Sequence, residues 1–225
     1  ISPCVHAIIS FTMVEEDPMK MKETYNNLLA QKLIAEFEKR NMEGYYCKTK
    51  GEALQKILSM LKKEDIVSNG GSQTLCEIGF HDAMKSGGYH YLSPHDAQGA
   101  AEKEKVAHQA LSADYYFMSA NAISETGELV NIDGIGNRAA ALMFGPKHVV
   151  IVAGLNKVAP NLEAAVTRAK TYASRLCLTL FKKDYTSYEE LSLMAEKGGS
   201  HLVITSRAAL KGRIKIILVG EDVGF

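Results

Sequence analysis

The sequence predicts an α/β fold, a mostly parallel Rossmann-like sheet flanked by helices. Short apolar runs of strand length, among them 65–68, 115–118 and 148–153, alternate with segments whose apolar residues recur at helical spacing. These runs stop at polar, glycine-bearing loops, Asn69-Gly70-Gly71-Ser72-Gln73-Thr74 and Asp133-Gly134-Ile135-Gly136-Asn137-Arg138, where sheets of this kind carry their chemistry. Between the second loop and the run 148–153 lies an Ala-rich helix, 139–144, which Gly145 and Pro146 stop as cap and breaker.

Taken in order, residues 1–18 read as a terminal tail or an added extension. The first twelve, ISPCVHAIISFT, lack the basic start of a signal peptide and precede Met13. The domain proper runs from 19 to 225. Over 20–41, Tyr25, Leu28, Leu29, Leu33, Ile34 and Phe37 repeat with the period of an amphipathic helix, and Gly44 lies just beyond. A short strand at 45–47 follows, then a helix at 50–61 with Leu54, Ile57, Leu58 and Leu61 inward. Strand 65–68 opens into the first glycine loop and a single helix, 75–84. Ser93 and Pro94 precede His95 and Asp96 at the start of a helix that continues to 111, with Ala97, Ala100, Ala101 and Ala107 packing closely. Strand 115–118 ends at Ser119, and a Glu-Thr-Gly turn returns the chain as strand 128–132. Pro160 opens one long helix with Leu162, Ala165, Val166, Ala169, Tyr172, Ala173 and Leu176 as its core face. Residues 184–200 contain a shorter helical segment ending at Gly198-Gly199, and strands 201–205 and 214–219 follow, the last emptying into Glu221 and Asp222.

Length and charge bound the function. A chain of 225 residues suits one α/β domain with a sizeable core. With 26 basic and 26 acidic residues there is no global field to recruit nucleic acid or an anionic membrane, so an anion site must be local. No apolar run approaches the roughly 18 residues of a membrane span. Cys4, Cys47, Cys76 and Cys177 are scattered without CxxC spacing, so no disulfide framework, metal site or cofactor is evident, and a reduced cytoplasmic compartment is the simplest reading.

An anionic small molecule needs N–H donors, a cation and an orienting polar group in one cleft. In the first loop Asn69, Gly70, Gly71 and Ser72 let the backbone approach a phosphate or carboxylate, with Ser72, Gln73 and Thr74 adding side chains at a helix start; a plain capped turn is the alternative. Glu77 fits a capping box with Thr74 as well as it fits a catalytic acid. In the second loop Asp133 is the candidate general base, although its commoner work is to hold the turn, and Arg138 is the candidate cation or the ion-pair partner of Asp133. Gly134 and Gly136 would bring the backbone close, and Lys157 would reach the same edge. Asn121, Asn131 and Asn137 either fix loops or touch the ligand. His81, His90 and His95 have no obvious partners. DGIGNR lacks the third glycine of a dinucleotide fingerprint, and no serine–histidine–aspartate order is convincing. The loops near 70 and 135 must therefore converge on one concave edge if they are to hold an anion.

The blocks SNGGSQTLCEIGF, ADYYFMSANAI, GELVNIDGIGNRAAALMFGPKHVVIVAGLNK and KGRIKIILVGEDVGF resemble the LUD (lactate utilization) domain, formerly a domain of unknown function, from about Met19 onward. The resemblance implies a fold akin to ribose-phosphate isomerase, glucosamine-phosphate deaminase and the CoA transferases, with both glycine loops facing one cleft. It also implies a component of, or an accessory to, oxidation of L-lactate, with iron–sulfur oxidoreductase subunits as partners. Many relatives carry a cysteine cluster between the late helix and the penultimate strand. Here that stretch reads FKKDYTSYEELSLMAEKGGSH, without a thiolate to ligate iron, so no iron–sulfur cluster is expected from this chain alone. The expected ligand is a small anionic metabolite. A stand-alone isomerase or transferase acting on a phosphosugar or CoA ester is the alternative, as is a non-catalytic subunit or regulator, and a homo-oligomer is open in each case.

Overall fold

Two apolar strands set the architecture of the computed structural model, which describes residues 17–94, 96–181 and 184–225. β7 (His148–Gly154) and β10 (Ile214–Val219) are almost wholly buried, as strands covered on both faces must be. With β1 (Glu43–Cys47), β2 (Ile66–Asn69), β3 (His90–Leu92) and β4 (Tyr115–Met118) they form a six-stranded sheet in the order β1-β10-β7-β4-β2-β3, every pair parallel. Side chains alternate along a strand, so each strand feeds two cores. Met118, Val149, Ile151, Ile216 and Leu218 pack with Ala30, Leu33 and Phe37 of α1 (Pro18–Lys39). On the opposite face Phe117, Val150, Val152, Ile217 and Val219 pack with residues of α2 (Lys50–Met60), α3 (Gln73–Glu77) and α4 (Phe80–Ser86).

The helices differ from expectation in four places. The buried stripe of α1 is Asn26, Ala30, Leu33 and Phe37, leaving Tyr25 and Leu28 exposed. Leu33 and Phe37 are common to both stripes, and α1 lies tight on Gly44, where even a Cβ would stand 2.8 Å from Ile34 Cγ1 and 3.0 Å from Phe37 Cδ2. The helix expected over 75–84 is two, broken at Gly79, whose φ of 75° ends α3 and begins α4. The long late helix starts after Asn161, whose side chain accepts from Ala164 N, as α7 (Leu162–Arg168). It widens into a π turn, Ala169–Ala173, and resumes as α8 (Ser174–Phe181). Ser174 Oγ donates to the Ala169 carbonyl within that wide turn. Tyr172, expected inside, is half exposed, and Ala165, Ala169 and Ala173 form the buried line. Likewise α5 (Gly99–Ala110) starts later than its apolar residues suggest and leaves Ala100 and Ala101 in solvent. The expected helix over 184–200 is α9 (Tyr188–Gly198), capped by Ser187.

A second sheet was not foreseen. After β4 the chain leaves the parallel sheet through Ser119, Ala120 and Asn121 and enters β5 (Ala122–Ser124). Together with β6 (Leu129–Asp133), β8 (Val158–Ala159) and β9 (His201–Thr205) it builds a mixed sheet in the order β8-β5-β6-β9. Ala122, Val130 and Ala159 of this sheet pack on Ala165 and Ala169. Strand β6 thus belongs here, and α6 (Asn137–Met143) carries the chain back to β7. No helix among the described residues is long and apolar enough to cross a membrane. The N-terminal tail to residue 16, with Cys4, and His95 lie outside the described residues.

Strand order places the site. From β2 the chain runs outward to the edge strand β3, whereas from β4 it runs the other way, to β7 and then β10. The carboxyl ends of β2 and β4 therefore flank a switch point, where parallel sheets open a crevice for ligands.

Candidate functional site

The two glycine loops do meet. Gly70 N donates to the Phe117 carbonyl at 3.0 Å, and a Cβ on Gly70 would lie 2.5 Å from Arg138 Cγ and 2.8 Å from the Tyr116 hydroxyl. Only a glycine fits there, and the stem of Arg138 fills the space between the loops. The guanidinium is engaged: Nε donates to Asp133 Oδ1 at 2.8 Å and Nη2 to the Ile132 carbonyl at 2.5 Å. Asp133 Oδ2 accepts from Ala139 N at 2.9 Å, holding the start of α6, and its side chain is 6% exposed. The pair proposed from sequence as base and cation is thus a buried ion pair that locks the second loop.

The amine at the switch point is that of Lys157. A 3-10 turn, Leu155–Lys157, follows β7 directly and delivers the side chain into the protein, 3% exposed. Nζ donates to Thr74 Oγ1 at 2.8 Å and to Ser119 Oγ at 3.0 Å, one residue from the helix after β2 and one from the end of β4. Among the described residues it has no carboxylate at ion-pairing distance. Burial and then the Arg168 charge press its pKa down to about 7; Glu77 pulls the other way, and Arg138 adds to the downward push. Arg168 itself is braced between the Asn121 and Asn156 carbonyls, at 2.6 and 3.0 Å.

Residues after β10 close the crevice. Gly224 N donates to Glu77 Oε2 at 2.9 Å, and its carbonyl accepts from Asn156 Nδ2 at 3.1 Å. Val223 N donates to Asn156 Oδ1, and the Val223 carbonyl lies 3.4 Å from Thr74 Oγ1. Gly224 has a φ of 59°, and a Cβ there would stand 2.4 Å from Thr74 Oγ1 and 2.9 Å from Lys157 Nζ. The residues after all four central strands therefore converge on one amine.

The other nominated residues divide. Asn69 is buried, with Nδ2 on the Gly70 carbonyl and Oδ1 accepting from Tyr91 OH at 2.6 Å, while His81 Nδ1 lies 2.8 Å from the same hydroxyl. Burial lifts the Tyr91 pKa to about 12. Gly71 faces open space. Ser72, rather than Thr74, caps α3, and Glu77 is exposed and tied to Gly224 and Gln73, so no capping box forms. Asn121 Oδ1 accepts from Ile132 N and fixes the hairpin, as one of its two readings held. Gly134 is exposed, Gly136 begins α6 at a φ of 87° beside the His201 ring, and Asn137 is the first residue of that helix. Asn131 lies inside β6, 1% exposed, with neither amide atom partnered among the described residues. Glu221 Oε2 accepts from Lys50 N at the start of α2, and Asp222 lies 3.7 Å from Lys22. Ser119, Asn156, Arg168 and Gly224 were not nominated from sequence. Ser119 had a signal, since it ends a buried strand.

A hollow of about 210 Å³ lies beside this cluster, between Asn26 of α1 and Asn156 and Gly220. A larger one, about 730 Å³, lies between the π turn and α9, with Ile132 at the foot of the second glycine loop in its lining. The described cysteines, Cys47 on β1, Cys76 on α3 and Cys177 on α8, stand on separate elements, and no group of three metal-ligating side chains occurs among the described residues. These residues do not fit an iron–sulfur cluster, which needs converging thiolates.

A family model for the LUD domain matches residues 30–219, which span both sheets and all the site residues but those after β10. The chain belongs to the LUD domain family. No curated protein gives a significant match to this LUD domain. Among solved structures, a DUF162 family protein from Deinococcus radiodurans matches with 12% identity and a TM-score of 0.49, over 86% of this chain and 98% of its own.

Proposed function

We propose that this LUD domain binds a small anionic metabolite, a carboxylate or phosphate, in the crevice between the ends of β2 and β4, and acts in or beside L-lactate utilization, the role with which its family is associated. The observation that carries the reading is Lys157, a buried amine held by Thr74 and Ser119 with no paired carboxylate among the described residues, and with Arg168 and Arg138 close enough to be felt. A buried cation without a counterion is costly, and an anion supplied from outside relieves that cost. Iron–sulfur oxidoreductase subunits are the partners this reading calls for, as the family's association with lactate oxidation implies; among the described residues Cys47, Cys76 and Cys177 stand on separate elements.

Thermal shift against lactate, pyruvate, sugar phosphates, nucleotides and CoA tests it. A ligand at a hundred times its Kd adds about 2.7 kcal/mol, which for a domain of this size is a rise of roughly 5–10 °C. The rise is expected for a carboxylate or phosphate and should vanish in Lys157→Met. A flat response to the whole panel would leave only a non-catalytic subunit.

A further inference from the structure

We propose that the hollow of about 730 Å³ between the π turn and α9 is a second binding site, which takes a small monocarboxylate with an apolar body. Its volume is that of sites which enclose small molecules. Ser174 N–H donates to the Ala169 carbonyl five residues back, and this wide turn sets Lys170, Thr171, Ser174 and Arg175 along one wall. Leu193 of α9 and Leu202 of β9 stand in the lining about half exposed, and Ile132 of β6 joins them.

The polar anchor is Arg175. Nη1 donates to the Tyr188 hydroxyl, and the guanidinium carbon lies 4.7 Å from the centre of the Tyr188 ring, so the fork is held in place. Its other edge is unused. Nε is shut off from solvent, and neither it nor Nη2 has a hydrogen-bond partner among the described residues. An N–H left in that state is costly, and a carboxylate lying side-on to Nε and Nη2 removes the cost.

The neighbouring groups select a carboxylate over a phosphate. Thr171, Ser174 and Ser192 each spend their one hydroxyl hydrogen on a helix carbonyl, of Thr167, Ala169 and Tyr188, at 2.7, 2.8 and 2.7 Å, so they offer an anion no donor. Glu189 and Glu196 line the α9 side and balance Lys170 and Arg175, which leaves no surplus positive charge for a dianion. Two adjacent N–H groups match the two oxygens of one carboxylate, and Ile132, Leu193 and Leu202 remain for its hydrocarbon.

Isothermal titration calorimetry of the full chain with butyrate, hexanoate, octanoate and decanoate tests this, beside octyl phosphate and octanol. One octanoate per chain is expected, each added methylene should tighten Kd about three- to four-fold, and octyl phosphate should bind more weakly than octanoate. Octanol, which lacks the anion, should bind about ten-fold or more weakly. Arg175→Lys keeps the charge without the fork, and Leu202→Glu sets a carboxylate against the hydrocarbon from an exposed position; each should weaken octanoate by about ten-fold or more. Lys157→Met should bind octanoate as the unaltered chain does, which separates this site from the crevice between β2 and β4. Methyl NMR spectra of the unaltered chain locate the ligand even if a variant does not fold, because the Ile132, Leu193 and Leu202 signals should move as octanoate is added. Absence of saturable heat, octanol or octyl phosphate binding as tightly as octanoate, a Kd indifferent to Arg175→Lys, or loss of octanoate with Lys157→Met overturns the assignment. Methyl shifts that follow protein concentration in place of ligand also overturn it, since they mark a second copy filling the hollow.

Discussion

Replacing Lys157 by methionine keeps most of the stem and removes the charge, and the consequence should depend on pH in a fixed direction. In the folded protein the Lys157 pKa is about 7, against 10.5 for an unperturbed lysine. Below pH 7 both states carry the proton, and the folded state bears the full cost of a buried charge. Between pH 7 and 10.5 the unfolded chain binds the extra proton, so the stability of the unaltered protein rises with pH across that window. At about 1.4 kcal/mol per pH unit the whole window is worth about 5 kcal/mol, and the part from pH 7 to 9.5 about 3 kcal/mol. Urea unfolding of both proteins at pH 6.5, 7.5, 8.5 and 9.5 checks this. The difference between them cancels the other titrating groups, and it should shift by about 3 kcal/mol in favour of the unaltered chain from pH 7 to 9.5. Parallel curves would show that Lys157 titrates normally, and with that the case for an unpaired buried amine would fail.

Three further outcomes are expected. Asp133→Asn breaks the Arg138 ion pair and weakens the hold on Ala139 N, so chemical denaturation should register a loss of about 3 kcal/mol; a loss below about 1 kcal/mol would mean the pair is not buried in solution. Asn131→Leu replaces a buried amide, without a partner among the described residues, with an apolar group of similar shape and should raise stability by about 1–3 kcal/mol, whereas destabilisation would reveal a partner for that amide. Gly70→Ala forces a Cβ against Arg138 and Tyr116, with an expected cost of about 1–3 kcal/mol in thermal unfolding, and a neutral result would show that the two glycine loops are not in contact.

The parallel core was legible because its strands carry unbroken apolar runs, VVIVA in β7 and IILV in β10, that only double burial explains. The second sheet was not, because β5 and β8 hold three and two residues, too few to display a period of two. The glycine loops were correctly expected to converge, since Gly70 and Arg138 are in contact, but convergence did not make them the pocket: one loop's arginine fills the gap. Lys157 was named from its place after a strand, yet its depth depends on Thr74, Ser119 and Gly224, which come from three distant segments. Strand order brings these together, and one-dimensional patterning does not encode strand order.

The pairing of β1 with β10 has a consequence for biogenesis. Glu43 and Lys215 face each other across 172 positions of chain. At roughly 5–20 residues per second, a ribosome needs about ten to thirty seconds after making β1 before it supplies the neighbour. Through that interval one flank of β1 is a template for any extended peptide nearby, so slow translation or heat shock during synthesis should raise the demand for chaperones well before the finished molecule loses stability.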